Sequence, residues 1–169
     1  MESASKYLST LEQKKDLAQV TVDREKAKQL LQFLVFQVGN GFYGINILET
    51  HEILKPGLVT RIPNVESDIL GVLNLRGNII PVVDVNKKFL SRKVEITNFS
   101  RIIVAAYQGK YMGLVVDRVL EVARISENSI EGTEVRGLSH QFVKGVGRSD
   151  QRIFLLLNLD KMFIEDSES

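Results

Sequence analysis

The sequence contains no cysteine and no tryptophan, and it has only two histidines and three prolines in 169 residues. Without cysteine the chain can form no disulfide, and it offers no thiolate for catalysis or for a zinc site. Its 22 lysines and arginines are matched by 21 aspartates and glutamates, so no overall field attracts nucleic acid or an anionic membrane. These absences point away from enzymes before any motif is considered.

Long hydrophobic runs are also missing. An apolar run such as Ile153–Leu157 is far shorter than the roughly 20 residues that a membrane-spanning helix needs. The charged N-terminus is followed by no apolar stretch of signal-peptide length. We therefore expect a cytoplasmic protein with no direct membrane insertion. A hydrophobic fraction of 44% with 25% charged residues is typical of a globular chain with its own core.

Residues 1–30 differ in composition from the rest of the chain, because they contain neither glycine nor proline. Their apolar residues recur at helical spacing, at Ala4, Tyr7, Leu8 and Leu11. Asp23 has the character of an N-cap for a second helix. This extension is predicted to form one or two short amphipathic helices, which could either pack loosely on the body or dock on a partner.

From Leu31 onwards the pattern changes to short apolar runs separated by hairpin signals. The predicted strands and turns recur at the spacing of small antiparallel barrels, so we expect an all-β fold. A short helical turn is predicted over residues 48–54, and a brief helix is predicted to follow Asp160. A hairpin pattern around Val35–Ile47 returns around Ile102–Val115, which suggests two halves that meet near residue 100.

Catalytic and ligand-binding motifs are weak throughout. His51 and His140 are far apart in sequence, and Gly145-Val146-Gly147 lacks the further residues of a phosphate-binding loop. No metal and no cofactor is therefore expected. Asp84 and Asp117 each follow an apolar run, where a carboxylate either acts as a general base, as in a hydrolase, or accepts backbone N–H bonds at a turn.

A small barrel that binds single-stranded nucleic acid is the rival function from another class. That mode requires a basic groove with stacking aromatic side chains. The stretch Arg136–Arg152, considered as a basic segment with interleaved aromatic residues, contains only Phe142. The sequence therefore does not favour nucleic-acid binding.

The most informative segment spans residues 71–84, GVLNLRGNIIPVVD. Arg76 interrupts two apolar runs and precedes Gly77, so a hairpin tip is expected to lift its side chain to the surface. A guanidinium presented beside exposed aliphatic residues is a good anchor for protein contact. The alternative is an ordinary solvated arginine in a turn.

This segment resembles the signature of the CheW family of bacterial chemotaxis coupling proteins, in which Asn74-Leu75-Arg76-Gly77 precedes Ile80–Asp84. Further matching stretches follow one another in the same order over nearly the whole chain after Leu31. They are Phe33–Phe36, Tyr43–Ile47 with Glu52-Ile53, Thr60–Asn64, Ile103-Val104, Gly113–Asp117, Lys144–Gly147 and Leu155–Asp160.

The resemblance implies a non-enzymatic adaptor built from two intertwined five-stranded SH3-like barrels with short N- and C-terminal helices. It implies a helical extension over residues 1–30 and a CheW-like domain over 31–166. The first barrel would cover about 34–100, and the second about 101–159 together with residues 31–33. The same resemblance leaves open a paralogue that serves another chemosensory array, or a module of a longer adaptor.

The implied partners are the regulatory domain of a chemotaxis histidine kinase and the cytoplasmic tip of a methyl-accepting chemoreceptor. Glu52 and Arg76 match family positions for receptor coupling, and they could also pair with each other. The residues that the resemblance assigns to receptor binding are Glu52, Val72, Asn74, Arg76 and Gly113, and those assigned to kinase binding are Leu34, Ile47 and Thr50. Thr50 departs from the aliphatic residue often found at its position.

Overall fold

The structure is a computed structural model that describes residues 12–18, 30–132 and 140–167, with side chains at the C-terminal end described as far as Phe163. Residues 12–18 form a short helix, α1, whose side chains are exposed. The predicted helical face at Ala4, Tyr7, Leu8 and Leu11 and the predicted cap at Asp23 lie outside the described residues.

Within these ranges the chain forms short helices and strands joined by tight turns. The strands are β1 Leu30–Val38, β2 Gly41–Asn46, β3 Thr50–Leu54, β4 Ile69–Leu75, β5 Asn78–Asp84, β6 Arg101–Tyr107, β7 Lys110–Val116, β8 Arg118–Ser126, β9 Val143–Arg148 and β10 Ile153–Leu157. The remaining α-helices are α2 Val85–Leu90 and α3 Leu159–Ser167, and the 3₁₀ helices are Ile47–Glu49, Pro56–Leu58, Glu127–Ser129 and His140–Phe142.

The strands form two five-stranded sheets. The first sheet has the order β8-β1-β2-β10-β9, and the second has the order β3-β6-β7-β5-β4. The chain thus starts in the first sheet, builds the whole second sheet and returns to complete the first. The prediction of an all-β fold with two intertwined five-stranded halves is confirmed.

The expected division near residue 100 does not match the strand membership of the two sheets. β6 and β7 follow residue 100, yet they pair with β3 and β5 in the second sheet. β1 and β2 precede it and lie in the first sheet with β8, β9 and β10. Local hairpin patterns reveal neighbouring strands, but the parallel pairs β2–β10 and β5–β7 join distant parts of the chain.

The apolar core has three layers. One cluster belongs to strands of the first sheet and includes Phe33 and Val35, and another belongs to strands of the second sheet. The central cluster joins both sheets with α2 and α3, and it contains Leu34 and Phe36. Because successive side chains of a strand point to opposite faces, β1 is buried on both faces and reads as a continuous apolar run.

The helical turn predicted over residues 48–54 is corrected by the structure. A 3₁₀ helix covers Ile47–Glu49, and residues 50–54 form strand β3. β3 pairs antiparallel with β6, for example Thr50 with Ala105 and Leu54 with Ile102. This long-range hydrogen bonding decides the conformation, and local propensity does not reveal it.

Candidate functional site

The turn between β4 and β5 presents Arg76 at the surface, as the sequence predicts. Arg76 and Gly77 occupy its two central positions with φ of 52° and 87°. Positive φ at both positions is the mark of a type I′ hairpin turn, in which a residue with a Cβ is strained. The Arg76 side chain is 74% exposed. A bulky arginine therefore stands at a strained, exposed position where glycine or asparagine would be more stable.

Two further residues assigned to receptor binding shape this hairpin. The Asn74 side-chain oxygen accepts a hydrogen bond of 3.1 Å from the Gly77 backbone N–H, which ties the turn to the end of β4. Val72 exchanges two backbone hydrogen bonds of 2.8 Å with Thr60, so β4 also gains a partner on its outer edge. Asn74 and Val72 thus hold the hairpin in place, and both keep some exposed surface.

Gly113 lies elsewhere, within the buried part of β7. A Cβ at this position would lie 3.1 Å from a methyl group of Ile102 and 3.2 Å from one of Val82. Gly113 therefore permits the close packing of β5, β6 and β7. It offers no surface for direct contact with a receptor in this structure.

Glu52 lies beside the Arg76 turn. Its Oε2 is 3.6 Å from Arg76 Nη2, and the Glu52 side chain is 29% exposed. The same oxygen is shielded from solvent and has no hydrogen-bond partner within the part of the chain that the structure describes. The structure therefore brings the two predicted residues together as an ion pair that is longer than a hydrogen bond. Since one partner is largely exposed, such a pair contributes at most about 1 kcal/mol to stability.

Two cavities with aromatic and aliphatic residues in their linings lie beside the Arg76 turn. A cavity of about 120 Å³ is lined by His51, Arg76 and Tyr111 among others, and the His51 and Tyr111 rings lie 5.0 Å apart. A wider cavity of about 440 Å³ shares Tyr111 and extends to Ile79 and Phe163. Ile79 is 71% exposed, which is unusual for a strand isoleucine. Sequence reasoning missed Ile79 and Tyr111, although Ile79 follows the turn within two residues of Gly77.

The three residues assigned to kinase binding divide into one buried and two surface positions. Leu34 is 3% exposed and belongs to the central core layer, so its predicted contact with a partner is unavailable in this structure. Ile47 and Thr50 are half-buried at the two ends of the first 3₁₀ helix. Leu48 between them is 88% exposed and was not singled out from the sequence. The Asn46 side chain accepts from the Leu48 N–H at 2.9 Å, which fixes this outward turn.

The two carboxylates that could have served as general bases have structural roles. Asp84 is 3% exposed, and it accepts hydrogen bonds from the backbone N–H groups of Lys87 at 3.0 Å and Val94 at 2.9 Å. Asp117 accepts from the Gly39 N–H and from the Asn86 side-chain amide, both at 2.7 Å. Each carboxylate thus organises backbone at a turn, as the structural alternative predicted.

Glu49, at the end of the first 3₁₀ helix, is sensitive to its surroundings. Burial raises the pKa of its carboxyl above the ordinary value of 4.5, and the nearby Lys144 ammonium opposes this rise. Because the pKa is raised in the folded state, Glu49 adds its full contribution to the stability of the fold below pH 4.5, where it is protonated. This contribution is lost as the pH rises and Glu49 ionises. The ionised Glu49 carboxylate therefore slightly lowers the free energy of unfolding at neutral pH.

Glu49→Gln is expected to raise the free energy of unfolding relative to the parent chain more at pH 7 than at pH 4, because glutamine cannot ionise. Urea unfolding at the two pH values measures this difference. Glu127→Gln changes an exposed glutamate in another 3₁₀ helix and controls for the loss of one charge. If Glu49→Gln changes the free energy of unfolding equally at both pH values, the raised pKa of Glu49 is contradicted.

Comparison with known proteins agrees with this architecture. The family model for the CheW-like domain matches residues 32–167. The curated chemotaxis protein CheW of Helicobacter pylori is 29% identical over 163 residues, which cover 96% of this chain and 99% of that protein. CheW of Klebsiella aerogenes is 34% identical over 133 residues, covering 78% of this chain and 80% of its own length.

A solved structure shows the same fold. The crystal structure of the scaffolding protein TtCheW from Thermoanaerobacter tengcongensis matches with a TM-score of 0.70 and 37% sequence identity, over 76% of this chain and 88% of that one. In the described part of this chain, no helix combines the length and the apolar character needed to cross a membrane. With the family model spanning both interleaved sheets, this chain belongs to the CheW family and has that family's role, a chemotaxis scaffold that couples chemoreceptors to a histidine kinase.

Proposed function

We propose that this chain performs coupling through two separate surfaces. The Arg76 turn with Glu52 would receive the cytoplasmic tip of a methyl-accepting chemoreceptor. The exposed 3₁₀ helix between β2 and β3 would contact the regulatory domain of the chemotaxis histidine kinase. The observation that carries the proposal is Arg76, which stands 74% exposed on a strained turn and 3.6 Å from a carboxylate.

The surroundings of Arg76 suit a helical hairpin tip. A guanidinium can bind a carboxylate or a helix C-terminus, while the exposed Ile79 and the cavity wall at Tyr111 offer apolar contact. A fixed cation next to exposed apolar surface gives a contact both orientation and affinity. Asn74 stabilises the turn that carries Arg76, because its side-chain oxygen accepts a hydrogen bond from the Gly77 N–H.

The proposed kinase surface is smaller and mainly aliphatic. Ile47 packs against the central core layer on one side, whereas Leu48 projects into solvent. Thr50 closes the helix, and its hydroxyl lies 3.4 Å from the Asn46 carbonyl oxygen. In this proposal Leu48 makes the contact that the resemblance assigned to Leu34, because Leu34 is inside the core.

Leu48→Asp is expected to weaken binding of the kinase regulatory domain at least about tenfold, since a charge would be desolvated in an apolar contact. Leu58→Asp is a matched control, because Leu58 is 63% exposed in the other early 3₁₀ helix, Pro56–Leu58. Calorimetric titration with the isolated regulatory domain measures both. Equal losses in the two variants, or none in Leu48→Asp, would exclude the proposed surface.

Reconstitution tests the proposed function as a whole. A receptor cytoplasmic fragment and the kinase are combined with and without this chain, and kinase autophosphorylation is scored. Receptor-dependent activation is expected only when the chain is present. Activation that does not depend on the chain would overturn the proposal.

In this proposal the protein is not an enzyme and needs no cofactor. Asp84 and Asp117, the candidate bases, already accept backbone or amide hydrogen bonds. Receptor tips and the kinase regulatory domain imply a location in the cytoplasm at receptor arrays. Several contacts of modest area would then act together through effective concentration.

A further inference from the structure

A second charged surface lies at the opposite end of the second sheet from the Arg76 turn. β5 and β7 run parallel, with Asp84 opposite Val115, so their C-terminal ends lie together. β6 runs antiparallel to β7 and begins there, with Arg101 opposite Val116. The Arg76 turn enters β5 at its other end, next to Asn78. This distant end is not part of the surfaces proposed for receptor and kinase.

Four cations and one exposed aromatic ring gather at this end. We call them the cationic patch, which consists of Arg92, Lys93, Phe99, Arg101 and Arg118. Arg92 and Lys93 line a cavity of about 500 Å³ that also reaches Thr97 and Asp117. Phe99, Arg101 and Arg118 line a shallower cavity of about 300 Å³. Asp117 lines the larger cavity, and the next residue, Arg118, lines the smaller one.

The aromatic part of the patch is well organised. The Arg118 guanidinium carbon lies 3.9 Å from the centre of the Phe99 ring, in cation–π geometry. Phe99 is nevertheless 58% exposed. The backbone N–H of Phe99 donates to the Thr97 hydroxyl at 3.1 Å. The Arg101 Nη1 donates to the carbonyl oxygens of Asn98 and Ser100 at 2.8 and 2.7 Å. These bonds hold the backbone on both sides of Phe99.

The cations of this surface form no close ion pairs within the part of the chain that the structure describes. Among the described residues, no carboxylate lies within ion-pair distance of the four cations of the cationic patch. Asp117 lies next to Arg118, but its two oxygens accept from Gly39 and Asn86. Glu95 is the remaining acidic residue around the larger cavity. In a chain whose net charge is +1, the patch is a local concentration of unpaired positive charge.

We propose that the cationic patch binds an acidic segment of a partner protein, with an apolar side chain placed against Phe99 and carboxylates facing the arginines. Arginine favours carboxylates through its planar set of donors. Nucleic acid fits less well, because a strand would need a longer basic groove and several stacking rings. The patch offers one ring, Phe99.

The test uses the full chain and a fluorescein-labelled peptide of repeating Glu-Glu-Leu units, measured by fluorescence anisotropy. Saturable binding that weakens with added salt is expected. Phe99→Ala and Arg118→Glu should each weaken it about tenfold. Arg124→Glu is the matched control, because Arg124 is exposed on the same strand β8 but outside the patch, and it should bind as the parent chain does.

Further measurements control for unfolding of the Arg118→Glu variant and test nucleic acid as the alternative ligand. Arg92→Glu with Lys93→Glu alters only the exposed loop, so it tests the patch even if Arg118→Glu unfolds the chain. A Lys-Lys-Leu peptide should not bind. The proposal is overturned if the acidic peptide does not bind, if the patch variants bind as the parent chain does, or if oligothymidine binds in preference to the peptide.

Discussion

Arg76→Glu is expected to abolish receptor-dependent activation of the kinase while the chain still unfolds cooperatively near its original melting temperature. The side chain is 74% exposed, so reversing its charge removes a surface contact and creates no cavity. The new carboxylate would lie near Glu52, and their exposed repulsion should cost no more than about 1 kcal/mol. Kinase autophosphorylation with a receptor fragment measures the coupling, and thermal unfolding measures the fold.

A charge swap distinguishes the two roles that Arg76 could have. If Arg76 serves only to pair with Glu52, then Arg76→Glu combined with Glu52→Arg should restore activation. If Arg76 contacts the receptor directly, the double variant stays defective, which is the expected result. Normal activation by the single variant Arg76→Glu would disprove the role of this turn altogether.

Two further variants distinguish the effect of the Arg76 charge from the effect of the turn conformation. Arg76→Gly should keep or slightly raise stability, because glycine adopts the positive φ of 52° without strain, yet it should lose coupling. Gln108 stands at the same position of the turn between β6 and β7, with φ of 48°. Gln108→Glu should therefore leave activation unchanged.

Asp84→Ala is expected to lower the free energy of unfolding by about 2–4 kcal/mol, the largest stability loss predicted here. The Asp84 carboxylate caps α2 through the Lys87 N–H and also accepts from Val94 in the following loop. Removing it takes away a helix cap and leaves backbone donors without a partner at a site that is 3% exposed. Urea unfolding measures the loss.

Two controls accompany this substitution. Asp84→Asn keeps one acceptor oxygen and should lose less stability than alanine. Asp150→Ala removes an exposed carboxylate between β9 and β10 and should change stability by less than about 0.5 kcal/mol. A loss below about 1 kcal/mol for Asp84→Ala would mean that the two hydrogen bonds contribute little to the fold.

Some features could be predicted because their causes are local. A glycine after Arg76 and apolar runs on both sides specify a tight hairpin, and the structure has Arg76 and Gly77 at positive φ there. Asp84 was expected to act either as a general base or as an acceptor of backbone N–H bonds at a turn, and the structure shows the second role, at the start of α2. The pairing of Glu52 with Arg76 was also anticipated, although the two residues are far apart in the chain.

Other features escaped prediction because their causes lie far away in the chain. Leu34 is apolar like most of its neighbours in β1. An apolar run by itself does not show which of its residues remain at the surface. Leu48 was expected in a helical turn over residues 48–54, but residues 50–54 pair with β6 as strand β3, and Leu48 is 88% exposed. Gly113 stands in a matching motif, yet Ile102 and Val82 enclose it.

The sequence by itself determined the all-β character, the presented arginine and the family, because each rests on residue types and their spacing along the chain. Only the tertiary structure decided which strands share a sheet and which apolar residues remain outside. The physical reason is that two sheets pack against each other over one central layer. Burial of Leu34 and exposure of Leu48 and Phe99 follow from that packing and from strand pairings between distant segments.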